Sequence, residues 1–233
     1  MKTTFKMLAL SAATAVSLTF VSHSYAASSS FTDLTNIAAK DKIIALQEQG
    51  IVRGISETLF APNETITAAQ GIQLIVNAAN LNLDLVRFLV EPKATDYFKN
   101  ADDDAWYANA LITASVNGVE LPADLDPNKK WTREAFTHYL IRTIEAHSNL
   151  PMMNLAPVEI NDEEDLTIEY SGSIQRALAY DAMKLDEQGN FRPKAEISRA
   201  EAAELIYNVL EYVKAHPAPS PQPEPETGSE TNA

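Results

Sequence analysis

Two arginines stand where they do little for the backbone around them. Arg133 follows Thr132 and Arg199 follows Ser198, and each hydroxyl residue has the spacing of a helix N-cap. Glu201, three residues after Ser198, completes a capping-box signature. An arginine at the first helical position lies beside unpaired N–H groups and opposes the helix dipole. The chemistry it suits is capture of an anion, because a planar guanidinium can donate two parallel hydrogen bonds to a carboxylate. A third site of the same design, Thr67 with Gln70, carries Ala68 where the arginine would stand.

Catalytic constellations are absent from the sequence. His138, His147 and His216 show no zinc-ligand spacing, no Gly-x-Ser-x-Gly occurs, and without cysteine there is no thiol nucleophile and no disulfide. Carboxylates are plentiful, but no pair stands out for glycoside hydrolysis. The acidic runs Asp102–Asp104 and Asp162–Asp165 lack the glycine and terminal glutamate of an EF-hand loop and read as caps. The expectation is a non-enzyme with no metal and no cofactor.

The formal charge of −14 argues against nucleic acid and against an anionic membrane surface. Residues 1–26 have two early lysines, an apolar run from Met7 to Val21 and Ser24-Tyr25-Ala26 before Ala27, the pattern of a secretory signal peptide. No later stretch approaches the roughly 20 apolar residues of a transmembrane helix. Residues 216–233, rich in proline, glutamate, serine and threonine, read as an extended, disordered tail. Pro225-Glu226-Thr227-Gly228 lacks the leucine before it and the hydrophobic tail after it that a sortase signal needs.

The elements that must position the arginines are helices. Apolar residues at helical spacing after Ser198 (Ala202, Leu205, Ile206, Val209, Leu210, Val213) predict one buried stripe. First helices of helix–loop–helix units are expected over 37–49, 105–116 and 173–183. A long or bent second helix is expected from Ile72 to Val90, ended by Pro92. Trp131 is placed to staple onto Phe136, and Gly50 to end the first helix. The caps Thr67, Thr132 and Ser198 recur about every 65 residues, which suits a few stacked helical hairpins.

These units resemble surface layer homology (SLH) repeats. Phe31-Thr32-Asp33, Gly50-Ile51-Val52-Arg53-Gly54, Phe60-Ala61-Pro62 and the Thr67 helix follow the family order, without its arginine at Ala68. The second unit shows Phe98-Lys99-Asn100, Asp104-Ala105-Trp106-Tyr107-Ala108, a reduced Asn117-Gly118-Val119-Glu120, Leu125-Asp126-Pro127 and Thr132-Arg133-Glu134. In the third, Ile160-Asn161-Asp162, Gly189-Asn190-Phe191-Arg192-Pro193 and Ser198-Arg199-Ala200-Glu201 remain, but Gly-Ile-Val-x-Gly is missing. The boundaries expected from this resemblance are a first repeat with connecting helix at 27–90, a second at 91–148 and a third at 149–215.

The resemblance implies an all-α fold with three repeats in a pseudo-threefold arrangement around a central three-helix bundle. It implies a non-covalent cell-wall anchor, secreted to the cell wall or S-layer, whose grooves hold an anionic secondary cell wall polysaccharide, commonly pyruvylated, or a peptidoglycan-linked glycan. By carry-over, Arg133 and Arg199 are the anion ligands, Gly54 and Gly118 let backbone approach the ligand, and Trp106 is a groove wall. Arg53 could stand in for the arginine missing at Ala68. The plainer readings are that Trp106 is core, that Arg133 or Arg199 pairs with neighbouring acids, and that Arg53 is an ordinary loop cation. The competing function is a degenerate scaffold that contacts other cell-surface proteins without binding glycan.

Overall fold

The computed structural model describes residues 31–148, 150 and 156–217. The leader expected at 1–26, most of the connector expected at 149–157 and the expected tail from 218 onward lie outside the described residues. Among the described residues there are six α-helices: α1 (Lys40–Glu48), α2 (Ala68–Ala78), α3 (Ala108–Val116), α4 (Arg133–Ser148), α5 (Ile168–Ala179) and α6 (Arg199–Ala215). Among the described residues the only extended pairing is three isolated bridges, Thr65 with Ser198, Thr67 with Lys130 and Thr132 with Glu196, so the fold is all-α.

The caps form as the sequence requires. Thr67 and Gln70 close a capping box at α2, Ser198 and Glu201 close one at α6, and Thr132 Oγ1 accepts from the N–H of Ala135 at 3.3 Å. Trp131 meets Phe136 edge to face at 6.2 Å and stacks on Tyr139 at 5.3 Å. Its ring also fills the space above Gly71, where an added Cβ would fall 2.3 Å from the indole. The α6 stripe is buried at Ala202, Leu205, Ile206 and Val209.

The residues just before the three caps close on one another. Ile66 N–H donates to Ile197 O, Ile197 N–H to Trp131 O, and Trp131 N–H to Ile66 O, at 3.0 to 3.1 Å. The second helices α2, α4 and α6 each touch the other two. Each first helix packs on the second helix of the preceding pair: α3 on α2, α5 on α4, and α1 on α6. The last contact joins the first and last of the described helices and carries the Lys42–Glu204 ion pair at 2.6 Å.

Two sequence expectations are corrected. The helix expected to reach Val90 stops at Ala78, because Asn80 enters the left-handed region (φ 50°) and Leu81 N–H bonds back to Val76 O. Leu85, Leu89 and Val90 beyond it are exposed, so their apolar run is not a helical stripe. In the third pair the first helix spans Ile168–Ala179 rather than 173–183. Its start is set by tertiary contact, since the buried Glu134 of α4 accepts from both N–H and Oγ1 of Thr167 (2.9 and 3.0 Å).

Although Gly-Ile-Val-x-Gly is missing from the third pair, its turn is conserved in shape. Gly50 (φ 74°), Gly118 (φ 80°) and Asp181 (φ 51°) each take the left-handed position after a first helix. Ile51, Val119 and Ala182 then donate to Leu46, Ala114 and Ala177 O, all at 2.9 Å. Aspartate tolerates this conformation better than most non-glycine residues, which hid the turn from motif reading.

Candidate binding site

The first-turn N–H groups of α2, α4 and α6 are already occupied. Ala68 and Ala69 donate to Lys129 and Pro127 O, Arg133 and Glu134 to Ala195 and Pro193 O, and Arg199 and Ala200 to Glu64 and Pro62 O. Each helix start is thus capped by backbone carbonyls from a neighbouring pair, which satisfies the dipole and the orphan donors together. No bound anion is needed to explain these helix ends.

Arg199 is half-buried and reaches the first pair. Its Nε donates to Phe60 O at 2.7 Å, its Nη2 to Arg53 O at 2.8 Å, and its guanidinium carbon lies 4.6 Å from the Phe60 ring centroid. Burial draws its pKa down from the usual arginine value, against the opposing pull of Glu64 and Asp33. Arg133 pairs with Glu201, its side chain only 12% exposed, and its buried Nε has no hydrogen-bond partner. Burial raises the Glu201 pKa, but hydrogen bonds from Ser198 and the Arg133 charge outweigh it and hold the carboxyl below the ordinary value.

The other expected site residues divide. Arg53 meets Arg199 through its carbonyl, which places it at the third-to-first junction; Ala68 makes its backbone contact with the second pair, at Lys129. Gly54 is required by packing, since a Cβ there would lie 2.3 Å from Ser56 O and 2.5 Å from the Phe31 ring. Gly118 has open space around it and is fixed by its φ of 80° alone. Trp106 is 64% exposed, in edge contact with Tyr107 at 5.6 Å, and is not core.

Sequence reading missed the role of the aspartates. Asp33 accepts from the N–H groups of Phe60 and Ala61 (2.7 to 3.2 Å), and Asp162 accepts from those of Phe191 and Arg192 (2.8 and 2.7 Å). They hold the x residue of each Phe-x-Pro turn in the left-handed region, Ala61 at φ 59° and Arg192 at φ 57°. In the second pair Asn100 replaces the aspartate and donates to Asp124 O, and Asp126 does not adopt positive φ. The recurrence of Asp with Phe-x-Pro was the available signal.

A cavity of about 570 Å³ opens beside Gly118, between α4 and α5. Arg142, Glu120, Arg176, Glu145, His138 and Thr143 contribute its polar groups. Arg142 pairs with Glu120 at 3.0 Å and Arg176 with Glu145 at 2.6 Å, and Tyr180 donates to Glu145 at 2.6 Å. Burial, then the charges of Arg142 and Arg176, push His138 below its ordinary pKa despite Glu169 and Glu120.

Geometry of this kind defines a helical repeat protein whose pairs are locked together through backbone carbonyls and first-turn side chains. The S-layer homology domain model matches residues 30–70 and 165–203, and the chain carries S-layer homology domains. Over 184 residues it is 28% identical to Exoglucanase XynX of Acetivibrio thermocellus, covering 78% of this chain and 16% of that protein. It is 25% identical over 185 residues to the Surface-layer 125 kDa protein of Lysinibacillus sphaericus, covering 77% and 14%. Endo-1,4-beta-xylanase A of Thermoanaerobacterium saccharolyticum shares 32% over 110 residues, covering 46% and 9%. The chain spans less than a fifth of the length of these relatives. Among the described residues no helix is long and apolar enough to cross a membrane.

Proposed function

We propose that the chain is an exported module that anchors non-covalently to the cell wall by binding an anionic, pyruvylated secondary cell wall polysaccharide. The observation that carries this reading is the common denominator of its relatives. A matching segment of under a fifth of their length occurs in glycan-degrading enzymes and in a surface-layer protein. What such proteins share is not one catalytic activity, and attachment to the surface accounts for all of them. In this reading the helix pairs are three repeats with boundaries near 27–90, 91–148 and 149–215, about a pseudo-threefold axis. The cyclic bonding of Ile66, Trp131 and Ile197 supports that arrangement.

The grooves between repeats would be shaped by Arg133, Arg199, Gly54 and the Arg53 carbonyl, with Gly118 at the rim of the open cavity. Trp106 offers an exposed aromatic face on which a sugar ring can stack. Co-sedimentation with purified walls, before and after the secondary polymer is stripped, tests the reading. Binding lost on stripping, and weakened by Trp106→Ala, supports it; binding indifferent to stripping overturns it.

The protein-binding scaffold has one observation in its favour. Arg133 and Arg199 are committed to Glu201, Phe60 and Arg53 within the chain, and the helix-start N–H groups are filled. Retention of the chain by intact cell-surface proteins, with none by purified walls, would select it.

A further inference from the structure

The residues from 84 to 91, between α2 and α3, are all exposed, and five of them are large and apolar. Leu85 and Val90 are 98% and 82% exposed, Leu89 wholly so, and Val86 and Phe88 more than a third. The segment is held at both ends. Before it, Leu81 and Leu83 pack against the core and Asn82 O accepts from the Asn117 amide at 3.1 Å. After it, Ala94 is buried, and Thr95 donates to Asp103 through its N–H and its Oγ1, both at 2.9 Å. Fixed ends thus hold the apolar side chains out in water, and a contiguous apolar patch of more than a few hundred Å² marks an interaction surface.

Chemistry separates the occupants such a patch could take. The chain beyond 217 offers proline, glutamate and small residues, with no large apolar side chain to cover leucines. A bilayer surface draws in apolar residues flanked by basic ones, whereas Arg87 and Lys93 are balanced by Asp84 and Glu91 on a chain of net charge −14. A second copy fits both the area and the charges. An exposed leucine or valine side chain presents roughly 100 Å² of apolar surface. Twofold pairing of the loop, charged rim included, therefore covers on the order of 1,000 Å² in total, where specific interfaces begin. The charges alternate in sign along the loop as Asp84, Arg87, Glu91 and Lys93, and none of them makes an ion pair among the described residues. Laid antiparallel about an axis at Phe88 and Leu89, Asp84 of one copy meets Lys93 of the other, and Arg87 comes beside the other copy's Glu91.

We propose that the chain pairs with a second copy of itself through the loop 84–93, antiparallel about a twofold axis, with Leu85, Leu89 and Val90 of each copy covered by the other. An isologous contact of this kind closes on itself, so association stops at the dimer. The loop leaves α2 at the end opposite its cap, so pairing involves neither the helix starts nor Arg133 and Arg199, and it holds whatever the grooves bind.

The test is sedimentation equilibrium of the full chain from about 1 to about 500 μM, the range in which an interface at the lower size limit should show a monomer–dimer equilibrium. Leu85→Lys with Leu89→Lys removes no core contact, because both side chains stand in water in the single chain. The pair of substitutions should leave thermal unfolding of the monomer unchanged. It should weaken dimerisation by about a hundredfold or more, since a twofold interface loses each contact twice. Arg87→Glu sets like charges together across the axis and should weaken pairing several-fold; adding Glu91→Arg restores opposite charges and should recover it. A wild-type chain that is monomeric at about 500 μM, a dimer that survives Leu85→Lys with Leu89→Lys, or no recovery on adding Glu91→Arg overturns the proposal. Phosphatidylcholine vesicles supply the second arm. Flotation of a monomeric chain with them, lost in Leu85→Lys with Leu89→Lys, overturns the proposal and gives the loop to a bilayer.

Discussion

The guanidinium of Arg199 lies over the ring of Phe60, 139 residues upstream, and donates to that residue's carbonyl. With the second bond to Arg53 O, this makes Arg199 a fastener between the last helix and the first turn. Arg199→Ala leaves the partly buried Phe60 carbonyl and the exposed Arg53 carbonyl without this donor and removes a cation–π contact. The expected loss is about 2 to 3 kcal/mol, read as a lowered urea midpoint with unchanged slope. A loss near zero would return Arg199 to the role of an exposed first-turn cation.

Ala61 and Arg192 adopt left-handed backbone at a cost of roughly 1 kcal/mol or more each for a residue with a Cβ. Ala61→Gly relieves the strain while the Asp33 bonds remain, so it should raise stability by up to about 1 kcal/mol. Asp33→Ala should do the opposite, and an Asp33→Ala, Ala61→Gly pair should recover part of the loss. Chemical denaturation of the four proteins checks the cycle.

Stability should fall in two stages as pH is lowered. His138 is held below its ordinary pKa by burial and by Arg142 and Arg176, so the unfolded chain takes up its proton first. Its contribution is complete above pH about 6.5 and shrinks as pH falls from there towards its folded pKa. Asp33, despite the opposing effect of burial, is held low by the N–H groups of Phe60 and Ala61; Glu201 is held low by Ser198 and Arg133. Their contribution is present above pH about 4.5 and is lost as pH falls through their folded values. Thermal melts from pH 7.5 to 3 should show both stages, and His138→Gln should abolish only the first.

Because α1 packs on α6, a chain cut after residue 148 loses more than its last helix pair. Leu46 and Ile43 of α1 would lose apolar cover, and the Ile66–Ile197–Trp131 ring of hydrogen bonds would be broken at two of its three links. The fragment 27–148 should show loss of cooperative unfolding by circular dichroism. Adding 149–215 as a separate chain should restore it in part; independent folding of the fragment would contradict the closed arrangement.

The sequence by itself determined the helices whose signals are local. The capping boxes at Thr67 and Ser198, the Trp131–Phe136 contact and the α6 stripe depend on residues within one or two turns of one another, and each formed as its spacing required. The family was legible for the same reason, since its motifs are these caps and turns. The fates of Arg133 and Arg199 were not legible, because their partners Glu201, Phe60 and Arg53 lie 68 to 146 residues away. Nor was the start of α5 at Ile168, which is fixed by a buried carboxylate on another helix. The run from Leu81 to Val90 was misread because apolar content alone carries no helix when Asn80 can turn left-handed. Only the tertiary structure, by swapping each first helix onto the preceding pair, decided which carbonyls fill the helix starts and where a cavity stays open.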